Sequence, residues 1–301
     1  MAGDSGDKRG RSKKREQIEK KDAKQLQQIS KYSVLMSVYK KEEPAFLKAA
    51  ISSMMEQTVL PDQFVLVCDG PLTEALDEVV EHFQEQHPEV FLVVRLKECG
   101  GLGPALQIGI KHCRNELIAR MDSDDISRCD RCEKQLFIFH KKQVEMVGGI
   151  IEEFASDVHE ISGKRVTPRT NEAILKCAGR RNPFNHVTMM YRKSAVTGAG
   201  GYQDFPYFED YYLWARMLKN GAVGYNIQEP LVYVRTGESM FARRGGMAYA
   251  KLAVKFRWYL KKNGLSTWID FVVSAGGQVL ICIMPNGFRK KFYEVILRKT
   301  K

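Results

Sequence analysis

Three acidic positions decide what chemistry this sequence could perform. Asp122-Ser123-Asp124-Asp125 closes an apolar-leaning run, Glu116 to Met121. Carboxylates one residue apart at a strand end can ligate one hard cation together. Mg²⁺ and Mn²⁺ prefer such oxygen ligands and often bind a substrate diphosphate at the same time. Three acids directly after a buried strand are costly without a cation, although a loop rich in helix-capping acids is the plainer alternative. Asp69 follows a second apolar run, Phe64 to Cys68, in the turn Asp69-Gly70-Pro71. Glu209-Asp210 stands between Pro206 and the aromatic stretch Tyr211-Tyr212-Leu213-Trp214. A desolvated, well-placed carboxylate is a general base, and an acidic pair equally suits the positive end of a helix.

Other motifs say less. Cys129-Asp130-Arg131-Cys132 matches C-x-x-C, but no second pair of Cys or His ligands is near, so a zinc site is not expected. Gly100-Gly101-Leu102-Gly103 follows the third strand rather than the first and lacks G-x-G-x-x-G spacing, a weak dinucleotide signal. Arg243-Arg244-Gly245-Gly246 offers two guanidinium forks of the kind that suit phosphate oxygens, or a solvated charged loop.

The elements that must position the acids follow from periodicity. Tyr32 to Tyr39 reads as a buried strand, and residues 45 to 57 as a helix with Pro44 before it. Phe64 to Cys68 is a second strand and Thr73 to Gln86 a second helix. Val90 to Leu96 is a third strand, followed by a helix from about 104 to 113 and a fourth strand, Glu116 to Met121. Strands alternating with helices predict an α/β fold with a mainly parallel sheet covered by helices on both faces. Ligands of such sheets bind beyond the carboxyl ends of the strands. Asp69 and the Asp122–Asp125 cluster lie at two such ends and can converge on one crevice.

Composition bounds the partners. The chain has 301 residues, 44% hydrophobic, with a formal net charge of +11. Residues 1–31 carry ten Lys/Arg against five acids, residues 32–234 carry 23 against 28, and residues 235–301 carry 14 against three. An acidic body therefore has two basic ends. A body that gripped nucleic acid would be basic through its core elements, so nucleic acid is not an expected partner. The division predicts a polar basic arm (1–31), a catalytic body (32–235) and a basic helical C-terminal region (236–301). Seven scattered cysteines read as reduced cytosolic thiols. Neither a secretory signal nor a membrane-spanning run is expected.

Within the C-terminal region, residues 247–262 read as a helix. Lys251, Lys255 and Lys262 fall on one stripe and Leu252, Phe256 and Tyr259 on another, which fits a membrane interface or a helix docked on the body. Residues 271–285 are apolar but too short to span a bilayer, so they are interfacial or buried. Arg289-Lys290-Lys291 follow, each contributing roughly 1 kcal/mol near an anionic leaflet.

Taken together, SVY (37–39), CDGP (68–71), GGLGPALQIGI (100–110), ARMDSDD (119–125), EKQ (133–135), GGY (200–202), FEDYYLW (208–214) and RRGG (243–246) resemble family 2 glycosyltransferases of the GT-A fold. The likeness runs from about 32 to 300 and is strongest to enzymes of bacterial capsular polysaccharide, exopolysaccharide and O-antigen synthesis. It implies a Rossmann-like nucleotide-sugar-binding sheet. It also implies inverting, metal-dependent transfer from a nucleotide-diphosphate sugar, a UDP-sugar above all, to a hydroxyl of a polyprenyl-diphosphate-linked glycan. By that resemblance Asp69 reads the base, Asp122 contacts the ribose, and Asp124 with Asp122 holds Mn²⁺ or Mg²⁺. Asp210 is the base with Glu209 in reserve, and Ser37, Tyr39, Gly101 and Arg131 join the donor-binding set. His186, Arg243, Arg244 and Trp214 become candidates for the diphosphate or acceptor, His186 and Trp214 having the plainer alternatives of a hydrogen-bonded histidine and core packing.

The sequence departs from that pattern at Cys68, where a second acid is common, at Cys99 and Gln107, where asparagines are common, and near Cys129, where a proline is. These departures bear on donor selectivity. The expected location is the cytoplasm, peripheral on the inner face of the cytoplasmic membrane. Two rivals remain. A phosphohydrolase with Asp122 as nucleophile needs Thr or Val where Ile126 stands. A non-catalytic membrane- or nucleic-acid-binding protein would rest on the basic ends alone.

Overall fold

Strand β1 (Tyr32–Val38) lies inside a sheet and is buried along almost its whole length. It pairs in parallel with β2 (Gln63–Cys68) on one side and β4 (Leu117–Met121) on the other, and β3 (Phe91–Arg95) extends the sheet beyond β2. The computed structural model describes residues 31–236 and 246–283. Beyond β4 the order continues through β8 (Met190–Arg192), β6 (Met146–Phe154), β9 (Gly224–Arg235) and β5 (Ile126–Ser127), with β7 (Ile161–Arg165) on β6. β6 and β9 are parallel, while β4–β8, β8–β6, β6–β7 and β5–β9 are antiparallel. The sheet is therefore mixed: β3-β2-β1-β4 are parallel where the alternation of strands and helices predicts it, and β6–β9 add a parallel pair outside that alternation.

Period-two alternation builds a core on each face. Val34, Met36, Phe64 and Leu66 point to one side, under α1 (Pro44–Met55), α2 (Glu74–Gln86) and α4 (Arg131–Lys141). Leu35, Val65 and Val67 point to the other, under α3 (Leu102–His112) and α7 (Glu209–Lys219). α3 lies close enough that a Cβ on Gly109 would collide with Leu35 and Val67. α3 begins two residues before its predicted start, because Gly101 (φ 91°) caps it and Pro104 falls in its first turn, where proline costs no hydrogen bond. α5 (Asn171–Ala178) and α6 (Lys193–Gly198) complete the body.

The C-terminal region is a helical hairpin of α8 (Met247–Lys262) and α9 (Trp268–Ile283). The Phe256 stripe of α8 does not face a membrane. Phe256 is fully buried and its ring meets Phe205, Phe208 and Tyr211, so α8 is docked on the start of α7 by an aromatic core. Thr267 and Asp270 form a reciprocal cap at the head of α9, and Asp270 also pairs with Arg180 of the body. Among the described residues no helix is long and apolar enough to cross a membrane. Residues 1–30 of the basic arm, Arg243, Arg244 and Arg289–Lys291 lie outside the described residues.

Candidate active site

The carboxyl ends of β1, β2 and β4 adjoin at the point where the chain, having added β2 and β3 on one side of β1, returns to add β4 on the other. A crevice at such a switch point is the natural ligand site of an open α/β sheet. Asp69 follows β2 and turns its buried carboxylate to the glycine-rich loop. Oδ1 accepts from the Gly100 amide (2.7 Å), and Oδ2 accepts from the Gly101 amide (2.9 Å) and the Cys99 thiol (3.2 Å). Asp69 thus clasps the turn that opens α3. Ser37 is half-buried in β1, and Tyr39 is exposed just beyond its end.

At the end of β4 the acids are individually restrained. Asp122 accepts both arms of the Arg120 guanidinium, which is only 1% exposed. Such a fork on a carboxylate fixes both partners in one plane. The Ser123 hydroxyl donates to Glu42 (2.6 Å), bringing an acid from the loop after β1 into the cluster. Asp125 accepts from the Arg235 amide (2.8 Å), and Arg235 Nε donates to the Asp124 carbonyl (3.2 Å). The Arg235 guanidinium is held between the rings of Phe46 and Phe154. Asp124 is pushed up to about 7, first by burial and then by the charges of Asp122 and Glu42. Asp125 is raised well above the usual carboxylate range by burial and by Asp124 and Asp122. The set is hard, all-oxygen and short of positive charge at Asp124, which is where a divalent cation fits. Among the described residues no three His, Cys, Asp or Glu side chains group as a complete metal cage. Mg²⁺ commonly takes one or two carboxylates and completes its shell with substrate phosphate and water.

The second acidic pair opens α7. Asp210 accepts from Asn182 Nδ2 (2.7 Å), and Glu209 accepts from the Tyr207 amide (3.2 Å). Burial raises both, partly offset at Asp210 by the Tyr211 amide, Asn182 and the more distant Arg165 and Arg120. Tyr207 has φ 68°, an uncommon backbone conformation for a side chain of its size. The two acidic groups lie within electrostatic reach of the same arginine and tyrosine. Arg120 acts electrostatically on Asp124, Asp125 and Asp210 besides its pairing with Asp122, and Asp122 and Asp210 both bear on the buried Tyr202 hydroxyl. A Cβ on Gly103, in the first turn of α3, would stand 3.3 Å from Glu209 Cγ. The start of α3 therefore packs directly against the start of α7.

The sequence profile of glycosyl transferase family 2 matches residues 33–198. An uncharacterised glycosyltransferase of Haemophilus influenzae is 40% identical over 274 residues, 89% of this chain and 100% of that protein. The chain is a family 2 glycosyltransferase. The Escherichia coli UDP-Gal:alpha-D-GlcNAc-diphosphoundecaprenol beta-1,3-galactosyltransferase is 33% identical over 89% of this chain and 97% of its own length. A mannosyltransferase of Pyrobaculum calidifontis, solved with GDP-Man and Mn²⁺, superposes with a TM-score of 0.57 at 15% identity, covering 89% of this chain and 85% of that one. The transferase has the GT-A fold that the sequence motifs imply. With the family assigned and Asp122 held through both oxygens by Arg120, the phosphohydrolase reading falls.

Two expected contacts are not made as read from the sequence. Arg131 is fully buried beneath β4 and does not reach the crevice. Its guanidinium donates to the carbonyls of Arg120 (2.7 Å) and Met189 (3.3 Å) and to Gln135 (3.1 Å), bracing the strand that carries Asp122. Trp214 is also fully buried, edge-on to Phe184 and His186, so it is core and no sugar platform. His186 hydrogen-bonds Tyr202 (2.8 Å), and burial and the Arg120 charge hold it well below its usual range, hence neutral. Four residues that the sequence does not single out bond the candidate acids or Ser123 beside them: Glu42, Arg120, Asn182 and Arg235. Only Arg120 left a signal, a lone charge inside the apolar strand LIARM that must find a partner when buried.

Proposed function

We propose that this glycosyltransferase moves a sugar from a nucleoside-diphosphate donor, a UDP-sugar, to a hydroxyl of a polyprenyl-diphosphate-linked glycan during synthesis of a bacterial surface polysaccharide, with inversion at the anomeric carbon. The observation behind this reading is the half-buried Asp210, oriented by Asn182 and within electrostatic reach of the Arg120 that forks Asp122. The E. coli galactosyltransferase, which by its name uses UDP-Gal and a diphosphoundecaprenol-linked GlcNAc, supports the donor and acceptor classes.

Asp69 and the amides it organises meet the base end of the donor, and Asp122, fixed by Arg120, meets the ribose. Ser37, Tyr39 and Gly101 line the same donor cleft. Asp124, with Asp122 beside it, would hold Mn²⁺ or Mg²⁺, which when bound neutralises charge on the departing diphosphate. Asp210 takes the proton of the acceptor hydroxyl as its oxygen bonds to the anomeric carbon. The bond from that carbon to the diphosphate breaks, and the nucleoside diphosphate leaves with the electron pair. The raised pKa of Asp210 suits this work, because a base is more effective as its pKa approaches the working pH. Glu209 fixes the Tyr207 turn at the acceptor side. The reaction takes place at the inner face of the cytoplasmic membrane.

The reading is tested with a panel of UDP-sugars and diphosphate-linked GlcNAc acceptors, with the product linkage read by NMR. The expected result is transfer from one UDP-sugar with inverted configuration, lost on chelation and restored by Mn²⁺ or Mg²⁺. Retained configuration would overturn the base role, and transfer undiminished by chelation would overturn the metal.

A further inference from the structure

α9 has two unlike faces. Ala275 and Cys282 are buried. On the opposite face Ile269, Val272, Val273 and Leu280 are each more than 60% exposed, spaced as one helical stripe, and Trp268 (60% exposed) and Trp258 of α8 (48%) extend it. A continuous apolar surface of this kind marks an interaction site rather than ordinary exposed hydrophobics.

The surroundings say what covers it. Asp270 is the only charged residue between 268 and 283, and it is turned to the body by its bonds to Thr267 and Arg180. α8 contains no acid at all. Its Lys255 and Lys262 are exposed, and Lys261 Nζ stands 4.7 Å over the Trp268 ring. The sequence beyond α9, residues 284–301, adds six Lys/Arg against one acid. An apolar stripe rimmed by tryptophan and lysine without acids suits the interface of an anionic bilayer. The 16 described residues of α9 make about 24 Å, and among the described residues no helix is long and apolar enough to cross a membrane, so the stripe fits lying in the plane of the leaflet.

We infer that α9 is a membrane-docking helix, seated by its Ile269–Leu280 face in the headgroup boundary of an anionic leaflet, with the lysines of α8 on the surrounding phosphates. The hairpin carries this plane to the acceptor side of the site. α8 packs through Phe256 on Phe208 and Tyr211, which flank Glu209-Asp210, and Asp270 grips Arg180, two residues before the Asn182 that orients Asp210. The benefit to catalysis rests on the lipid-linked acceptor proposed above; the docking itself does not.

The test is flotation of the full chain with vesicles of phosphatidylcholine alone or mixed with phosphatidylglycerol. It compares wild type, Val272→Glu/Val273→Glu and Lys255→Gln/Lys262→Gln, with transfer to a soluble short-chain acceptor measured in parallel. Wild type should float with the anionic vesicles. The glutamate pair should lose binding more than tenfold and the glutamine pair should lose about fivefold per lysine, both keeping soluble-acceptor transfer. Equal binding of wild type and the glutamate pair would overturn the docking. So would a dimer in light scattering that the glutamate pair dissociates, which gives the face to a second copy. Loss of thermal stability in that pair with flotation unchanged would give the face to residues 284–301. Flotation as expected, with no transfer from any donor, would leave the docking standing and reject the function proposed above.

Discussion

Arg120 shows how much the site depends on single residues. A guanidinium buried in a strand is tolerable only with its charge matched, and Asp122 supplies the match by accepting from both terminal nitrogens. Arg120→Met leaves Asp122 without its partner and should cost about 3 kcal/mol in denaturant unfolding, because breaking such a pair strands the remaining charge. Arg120→Lys keeps the charge but not the fork, and should fold while its KM for the donor rises about tenfold. Asp124 makes the opposite kind of prediction. Its folded pKa is raised to about 7 from an ordinary carboxylate value near 4, so its ionised form is penalised in the folded state. That penalty is absent below pH 4, grows as pH rises and is complete above pH 7. Without added metal, Asp124→Asn should therefore be more stable than wild type at pH 8, by roughly 4 kcal/mol, and no more stable at pH 4. Melting curves at the two pH values check this, and an equal gain at both would contradict it. The carboxylates themselves were legible in the sequence, because acids at strand ends stand out against apolar runs. Their partners were not. Glu42, Asn182 and Arg235 lie far from them in sequence, and only the folded chain sets them beside Ser123, Asp210 and Asp125.

Among the elements, the first four strands of the sheet are written in local pattern and the later ones are not. β1, β2 and β4 are short apolar runs between helices, and periodicity alone places them. β8 has three residues and β5 two, too few for a period, and each is fixed by its partner strand. α8 shows the same limit from the other side. Its Leu252–Phe256–Tyr259 stripe is equally consistent with lipid and with protein, and the aromatic rings of Phe205, Phe208 and Tyr211 decide for protein. Phe256→Ala should therefore destabilise the chain by about 3–5 kcal/mol, as truncation of a fully buried aromatic does, measured by denaturant unfolding. A loss below 1 kcal/mol would mean that the hairpin is not docked on α7. Gly109→Val probes the close approach of α3 to β1 and β2. The added side chain would meet Leu35 and Val67, for an expected loss of about 2 kcal/mol or more.

Across the whole molecule, charge and function divide along the same lines. The body between residues 32 and 234 carries more acids than bases, while the surplus of positive charge lies at the two ends. On the function proposed above, an acidic body that handles a diphosphate would need local devices, and the Arg120–Asp122 fork, the loop amides around Asp69 and a cation at Asp124 would supply them. Glu209 and Asp210 sit where the C-terminal hairpin joins the body, so on the proposed function a lipid-linked acceptor would approach from the end that carries the basic surplus. Whether Asp210 is the base for transfer to such an acceptor is decided by comparing Asp210→Asn with wild type. Sugar transfer from the UDP-donor to polyprenyl-diphosphate-linked GlcNAc would be followed alongside UDP binding and melting temperature. The expected result is an Asn variant that folds and binds UDP as wild type does but transfers about 10²- to 10⁴-fold more slowly. Transfer at the wild-type rate would contradict the account.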